Sequence, residues 1–85
     1  MAGKPKPWVT DHRIPGLQAR NYGNRYVYRL RQRHRGQLHI DYLGEMSLAS
    51  ALRFAKALRL HRSDPARLEQ IRDEIRAVTQ PYIVK

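Results

Sequence analysis

Arg25-Tyr-Val-Tyr-Arg-Leu-Arg-Gln-Arg33 is the stretch on which the fold turns. Successive side chains of a strand point to opposite faces. An extended Arg25–Arg33 therefore carries Val27, Arg29, Arg31 and Arg33 on one face and Tyr26, Tyr28 and Leu30 on the other. One face suits a hydrophobic core and the other suits a polyanion. The bias extends beyond the strand: residues 13–35 hold seven arginines (Arg13, Arg20, Arg25, Arg29, Arg31, Arg33 and Arg35) and no acidic residue. A sheet face of this kind is the footprint of a nucleic-acid binder.

The flanks of this strand read as a meander. Pro15-Gly16 signals a turn, Leu17–Arg20 a first short strand, and Asn21–Asn24 a second turn, because Gly and Asn tolerate positive φ. The second strand covers Arg25 to Arg33. Gly36 lies where a short hairpin loop needs a left-handed residue. A third strand then runs over residues 37–43 and stops at Gly44. Its register has two solutions. Leu38, Ile40 and Tyr42 alternate one way and Leu43 falls on the opposite parity, which either a bulge or burial of Leu43 at the strand end would reconcile.

Beyond Gly44 the period changes. Ser47 is a good N-cap, and Leu48, Ala51, Leu52, Ala55 and Leu58 form one helical stripe whose alanines permit close approach to a sheet. Ser63-Asp64-Pro65 ends that helix and opens another, with Asp64 as N-cap and Pro65 in the first helical position. Leu68, Ile71, Ile75 and Val78 line the second helix, and Pro81 stops it. Strands followed by helices predict an α+β fold: a three-stranded antiparallel sheet packed on a helix, followed by a second C-terminal helix. Tyr26, Tyr28 and Leu30 should face the helix, and Trp8 and Val9 are the first expected core contacts. The organisation expected is a flexible basic arm at residues 1–7, a DNA-binding domain at 8–62 and a helix with tail at 63–85.

Composition narrows the class. The chain has 85 residues, a formal net charge of +10 and no cysteine, so neither disulfides nor thiolate zinc sites can reinforce its small core. At 41% hydrophobic residues it can still fold. No apolar run approaches the roughly 18 residues that span a bilayer, and the start lacks a signal-peptide core. A soluble intracellular protein is expected. Four of the seven acids (Asp64, Glu69, Asp73, Glu74) cluster near the C-terminus, which leaves the basic surplus on the middle of the chain. Phosphate is the expected partner. Membrane is disfavoured because the cations sit on strand-like sequence rather than on an amphipathic helix.

Several short motifs together resemble a known family. Trp8-Val-Thr-Asp11, Ile14-Pro-Gly-Leu17, Ala19-Arg20, Arg25-Tyr-Val-Tyr-Arg29, Leu43-Gly44 and Ser47-Leu-Ala-Ser-Ala51 occur in the order and approximate spacing of the N-terminal arm-type DNA-binding domain of phage and genomic-island integrases, the tyrosine recombinases. The resemblance covers roughly residues 4–62. It implies a three-stranded sheet on a helix, with the outer sheet face set in the major groove of DNA. Accessory arm sites would be held here, while other domains grip and cut the crossover site. Carried over, the groove-facing role falls on Arg29, Arg31, Arg33 and His39, whereas Asp11, Gly16 and Gly44 take structural positions. Two departures stand out. Leu52 follows Ala51 where the family has arginine, and Asp41 occupies a strand position that is commonly apolar. No recombinase catalytic domain is expected in this chain, so it should not be an enzyme by itself.

The candidate interface is therefore Arg29, Arg31 and Arg33 with His39, and Lys4, Lys6, Arg20, Arg25 and Arg35 as phosphate holders. A solvated, aggregation-resistant sheet face would explain one such residue, but three on a central strand exceed what that explanation needs. Tyr26 and Tyr28 could instead stack bases in an RNA or single-stranded DNA module, although sharing a face with Leu30 favours core packing. The second helix could dock a protein partner or simply close the core. Tyr82 is rejected as a nucleophile because Pro81–Lys85 has no room for a constellation around it. His12, His34, His39 and His61 lack metal-ligand spacing, and no cofactor is expected. Double-stranded DNA is the partner expected, with a recombinase as a further one and the protein itself monomeric.

Overall fold

The pleat of the arginine-rich segment organises everything around it. A computed structural model describes residues 7–79. In it the chain forms β1 (Val9–Thr10), β2 (Leu17–Tyr22), β3 (Arg25–His34), β4 (Gln37–Glu45), α1 (Leu48–Leu60) and α2 (Pro65–Thr79). The four strands make one antiparallel sheet in the order β1-β2-β3-β4, so β3 is central. The fold is α+β as expected, with one strand more than the three read from sequence. That strand, β1, is two residues long and carries no period to read. It forms because β2 has an open edge: Val9 pairs with Ala19 and Thr10 with Gln18. The Asp11 amide donates to the Leu17 carbonyl at 2.8 Å, and the Asp11 side chain accepts from the Arg13 amide at 3.0 Å to shape the turn.

Both hairpin turns fall where the sequence placed them. Arg35 and Gly36 form a two-residue loop with both φ values positive (54° and 80°), the type I′ geometry whose twist matches the strands it joins. Gly16 is under a stricter constraint. Its φ is +86°, and its carbonyl accepts from the Arg31 amide at 2.8 Å. A Cβ there would lie 2.0 Å from the Arg31 carbonyl oxygen. Only a residue without a side chain lets the loop before β2 approach β3 so closely.

The register of β4 is resolved by a bulge. Pairing steps from Tyr28↔Gly44 to Arg29↔Tyr42, which leaves Leu43 as the extra residue. Leu43 turns into the core and is 1% exposed. Partners opposite one another share a face, so Ile40 (opposite Arg31) and Tyr42 (opposite Arg29) lie outward, and His39 and Asp41 lie inward.

Both helices cover the inward face. The sheet contributes Ile14, Leu17, Tyr28, Leu30 and Leu43; α1 contributes Ala51, Phe54, Ala55 and Leu58; α2 contributes Leu68, Ile71 and Ile75. The α1 stripe read from sequence omitted Phe54, which is 2% exposed, whereas Leu48 and Leu52 are only partly buried. Leu68, Ile71 and Ile75 close this protein's own core. Three expected contacts differ. Val9 is 63% exposed, Trp8 is half-buried but packs on the outward face, and Tyr26 lies on the helix side yet is 47% exposed, because the helices do not extend over the β2–β3 turn. Tyr26 instead accepts a hydrogen bond from Asn21 at 3.2 Å. The helix starts match: Ser47 Oγ accepts from the Ser50 amide and Asp64 Oδ1 from the Arg67 amide, each at 3.1 Å.

A polar network crosses the seam between layers. Arg62, just beyond α1, is buried; its Nε donates to Gln32 Oε1 at 2.9 Å and its Nη2 pairs with Asp41. Asp41 also accepts from Arg72 of α2 at 3.3 Å. Asp41 is thus the joint between β4, the end of α1 and α2.

Two stability predictions follow from these contacts. Gly16→Ala should lower the unfolding free energy by more than about 2 kcal/mol in urea titration, since left-handed strain and a backbone clash coincide. Asp41→Ala should cost about 3 kcal/mol by leaving Arg62 buried and uncompensated, and the double change Asp41→Leu with Arg62→Met should recover most of that loss.

Candidate nucleic-acid interface

The outward face is built from alternate residues of β2, β3 and β4. Register puts Gln18 opposite Arg29, Arg20 opposite Val27 and Tyr22 opposite Arg25. On the other flank Leu38, Ile40 and Tyr42 stand opposite Arg33, Arg31 and Arg29. Among the described residues no helix covers this face. Arg29, Arg31 and Arg33 form its central row, and Arg35 stands at the hairpin tip beyond them.

The members of the row are held differently. Arg31 and Arg33 are exposed, and among the described residues neither has an ion pair or a side-chain hydrogen bond. Arg29 is half-buried: its Nε donates to Gln18 Oε1 at 2.6 Å, and its guanidinium carbon lies 4.3 Å from the Trp8 ring centre. Arg20 approaches the same ring at 4.6 Å and donates to the Tyr22 hydroxyl at 3.3 Å. Arg25 lies 3.7 Å from Glu45, the one acid among the described residues that joins this face, at its end. The remaining described acids sit elsewhere. Asp11 is in the β1–β2 turn, Asp41 faces inward, and Asp64, Glu69, Asp73 and Glu74 lie at or on α2. Apart from Glu45 at its end, the cationic face is thereby kept clear of acidic competitors among the described residues.

His39 does not join the row. It lies opposite Gln32 on the helix side of the sheet, its ring 6.3 Å from that of His34, because odd-numbered positions of β4 before the bulge point inward. Lys4 and Lys6 lie outside the described residues, as does Tyr82. The geometry also adds residues to this face that the sequence alone does not assign to it. Trp8 reads as core and Gln18 carries no signal of its own, and the outward parity of Leu38, Ile40 and Tyr42 is settled only by the bulge. Tyr42 is 66% exposed.

The tyrosines expected as alternative stacking platforms lie on the other side of the sheet. Tyr28 is buried there at 6% exposure. Burial raises its pKa above the usual 10.0, the Asp11 carboxylate adds to that direction, and Arg13 opposes it. The helix side also carries a groove of about 840 Å³ at the β1 edge, lined by Val9, Ala19, Asn21 and Tyr26. Its carboxylate, Asp11, is already engaged by Arg13 at 3.3 Å. Among the described residues no group of three or more His, Asp or Glu side chains could hold a metal ion, and no helix is long and apolar enough to cross a membrane.

No family model, curated protein or solved structure matches this chain.

The Tyr28 environment gives a pH prediction. A phenol whose folded pKa is raised contributes stability that is fully present below its unfolded value and is lost as pH rises through the folded value. Unfolding free energy should therefore fall above about pH 10, and Tyr28→Phe should make that fall shallower without changing its course near neutrality. Urea titrations across the alkaline range check it.

Proposed function

We propose that this chain binds double-stranded DNA by laying the outward sheet face in the major groove, as an arm-site-binding domain that supports site-specific integration or recombination. The observation that carries the reading is the row Arg29, Arg31 and Arg33 on an uncovered face of the central strand, with Glu45 as the one acid beside it among the described residues. Alternate strand residues repeat about every 6.6–6.8 Å, close to two base-pair steps of about 3.4 Å. The row can therefore follow the groove with its guanidinium groups in step with the duplex. Arg35 at the hairpin tip and Arg25 at the opposite end reach toward the flanking phosphates. Ile40 and Tyr42 offer apolar surface to thymine methyl groups and sugars.

The link to integrases is supported by the order and approximate spacing of the motifs quoted from the sequence. In this reading the chain performs no chemistry itself. It acts in the bacterial cytoplasm as a DNA-associated monomer that positions a recombinase catalytic domain on the DNA of a phage or other mobile element.

A second reading, binding of RNA or single-stranded DNA, is favoured by one feature, the exposed Tyr42 ring beside the arginine row. Tyr26 and Tyr28, which would have formed a stacking platform, face the other way.

If about five phosphates are neutralised, the logarithm of duplex affinity should fall with the logarithm of salt concentration at a slope of about −4 to −5. Fluorescence anisotropy with a labelled duplex measures this, and unlabelled duplex should compete better than either single strand. A slope near zero, or better competition by single strands, defeats the duplex reading.

A further inference from the structure

Arg29 differs from the other two arginines of its row in being fixed before any ligand arrives. Gln18 lies directly opposite it across the β2–β3 ladder, and its Oε1 accepts a hydrogen bond from the Arg29 Nε at 2.6 Å. The single tryptophan of the chain, Trp8, covers the guanidinium at 4.3 Å. The same indole also lies 4.6 Å from Arg20, whose Nε is buried without a partner among the described residues. Two guanidinium groups are therefore held against one ring with no carboxylate between them, an arrangement whose mutual repulsion an incoming row of acceptors would relieve.

We infer that Trp8 and Gln18 are positioning residues that hold Arg29 as a guanine-reading fork, while Arg31 and Arg33 grip phosphates. The inference rests on the proposed duplex binding by this face. With Nε committed to Gln18 and the plane held by the indole, the two Nη groups of Arg29 remain as paired donors, which match the O6 and N7 acceptors of guanine in the major groove. An arginine that is free in solvent can swing away from a wrong base at little cost. A stacked and tethered one cannot, so a mismatched base leaves its donors unpaired. Phosphate contact needs charge and reach without a fixed plane, which Arg31 and Arg33 supply.

The test is selection of the full chain on a pool of duplexes with a randomised centre, followed by sequencing of the bound fraction. Wild type should enrich guanine at one position by about tenfold or more. Arg29→Lys and Gln18→Leu should abolish that enrichment while affinity for unselected duplex stays within about threefold, because the charge is retained. Trp8→Leu should weaken the enrichment and Trp8→Tyr should keep it, with thermal melting showing that each variant is folded. Arg31→Ala and Arg33→Ala should keep the enriched base, weaken binding on every sequence, and each reduce the salt slope by about one. Enrichment that survives Arg29→Lys, or that disappears with Arg31→Ala instead, overturns the inference. Survival in both Gln18→Leu and Trp8→Leu removes the positioning roles. Duplex binding without any enriched guanine overturns the fork but leaves the proposed function standing, whereas absence of duplex binding overturns both.

Discussion

A pleated strand offers two faces, and β3 gives them opposite chemistry. Tyr28 and Leu30 enter the core, and Arg29, Arg31 and Arg33 face solvent. A register slip of one residue would bury guanidinium groups and expose the core side chains, at a cost far above the few kcal/mol of net stability of a domain this small. The alternation therefore fixes the register of the strand and the face on which its arginines stand. The close approach of Gly16 to the Arg31 backbone pins the same strand from the β2 side, and the bulge at Leu43 pins it from the β4 side.

The Asp41 network serves the same separation from within. An arginine-rich chain must keep its cations from competing for the inner layer, and here Arg62 and Arg72 converge on one carboxylate at the seam between sheet and helices. Gln32 supplies a further acceptor to Arg62 from the inward side of β3. The joint between sheet and helices is thus polar and directional, which fixes the angle at which α2 meets β4 more narrowly than Leu68, Ile71 and Ile75 could alone. Its geometry holds Asp41 on the inward side, so that among the described residues Glu45 is the one acid on the outward face.

Most of this was legible in the sequence because the decisive signals are local. The period of two in β3, the Gly36 turn, the Ser47 and Asp64 caps, and the Leu68, Ile71 and Ile75 stripe each depend on neighbours a few residues away. What escaped depended on pairing across the sheet. β1 exists only because β2 has a free edge. The parity of His39, Ile40 and Tyr42 is set by a bulge whose position is chosen jointly by β3 and β4. Trp8 read as core because it is large and apolar, yet its partners are Arg20 and Arg29, and no pattern within its own segment points to them. The role of Asp41 was hidden for the same reason, since its partners come from residues 62 and 72.

The indole against two guanidinium groups is the least expected feature of the outward face, and it changes how the arginine row is understood. A row of identical side chains suggests identical roles, graded only by distance from the ligand. Here the partners of each side chain break that equivalence. Arg29 gives up its conformational freedom to Trp8 and Gln18 on folding, while Arg31 and Arg33, with no such partner among the described residues, keep theirs. Order lost during folding is drawn from the stability of the domain, and order lost on binding is drawn from affinity. A face that only needed to attract phosphate would gain nothing from fixing one arginine in advance. Fixing one and leaving its neighbours free is the arrangement expected where long-range attraction and short-range discrimination are carried by different residues of one strand.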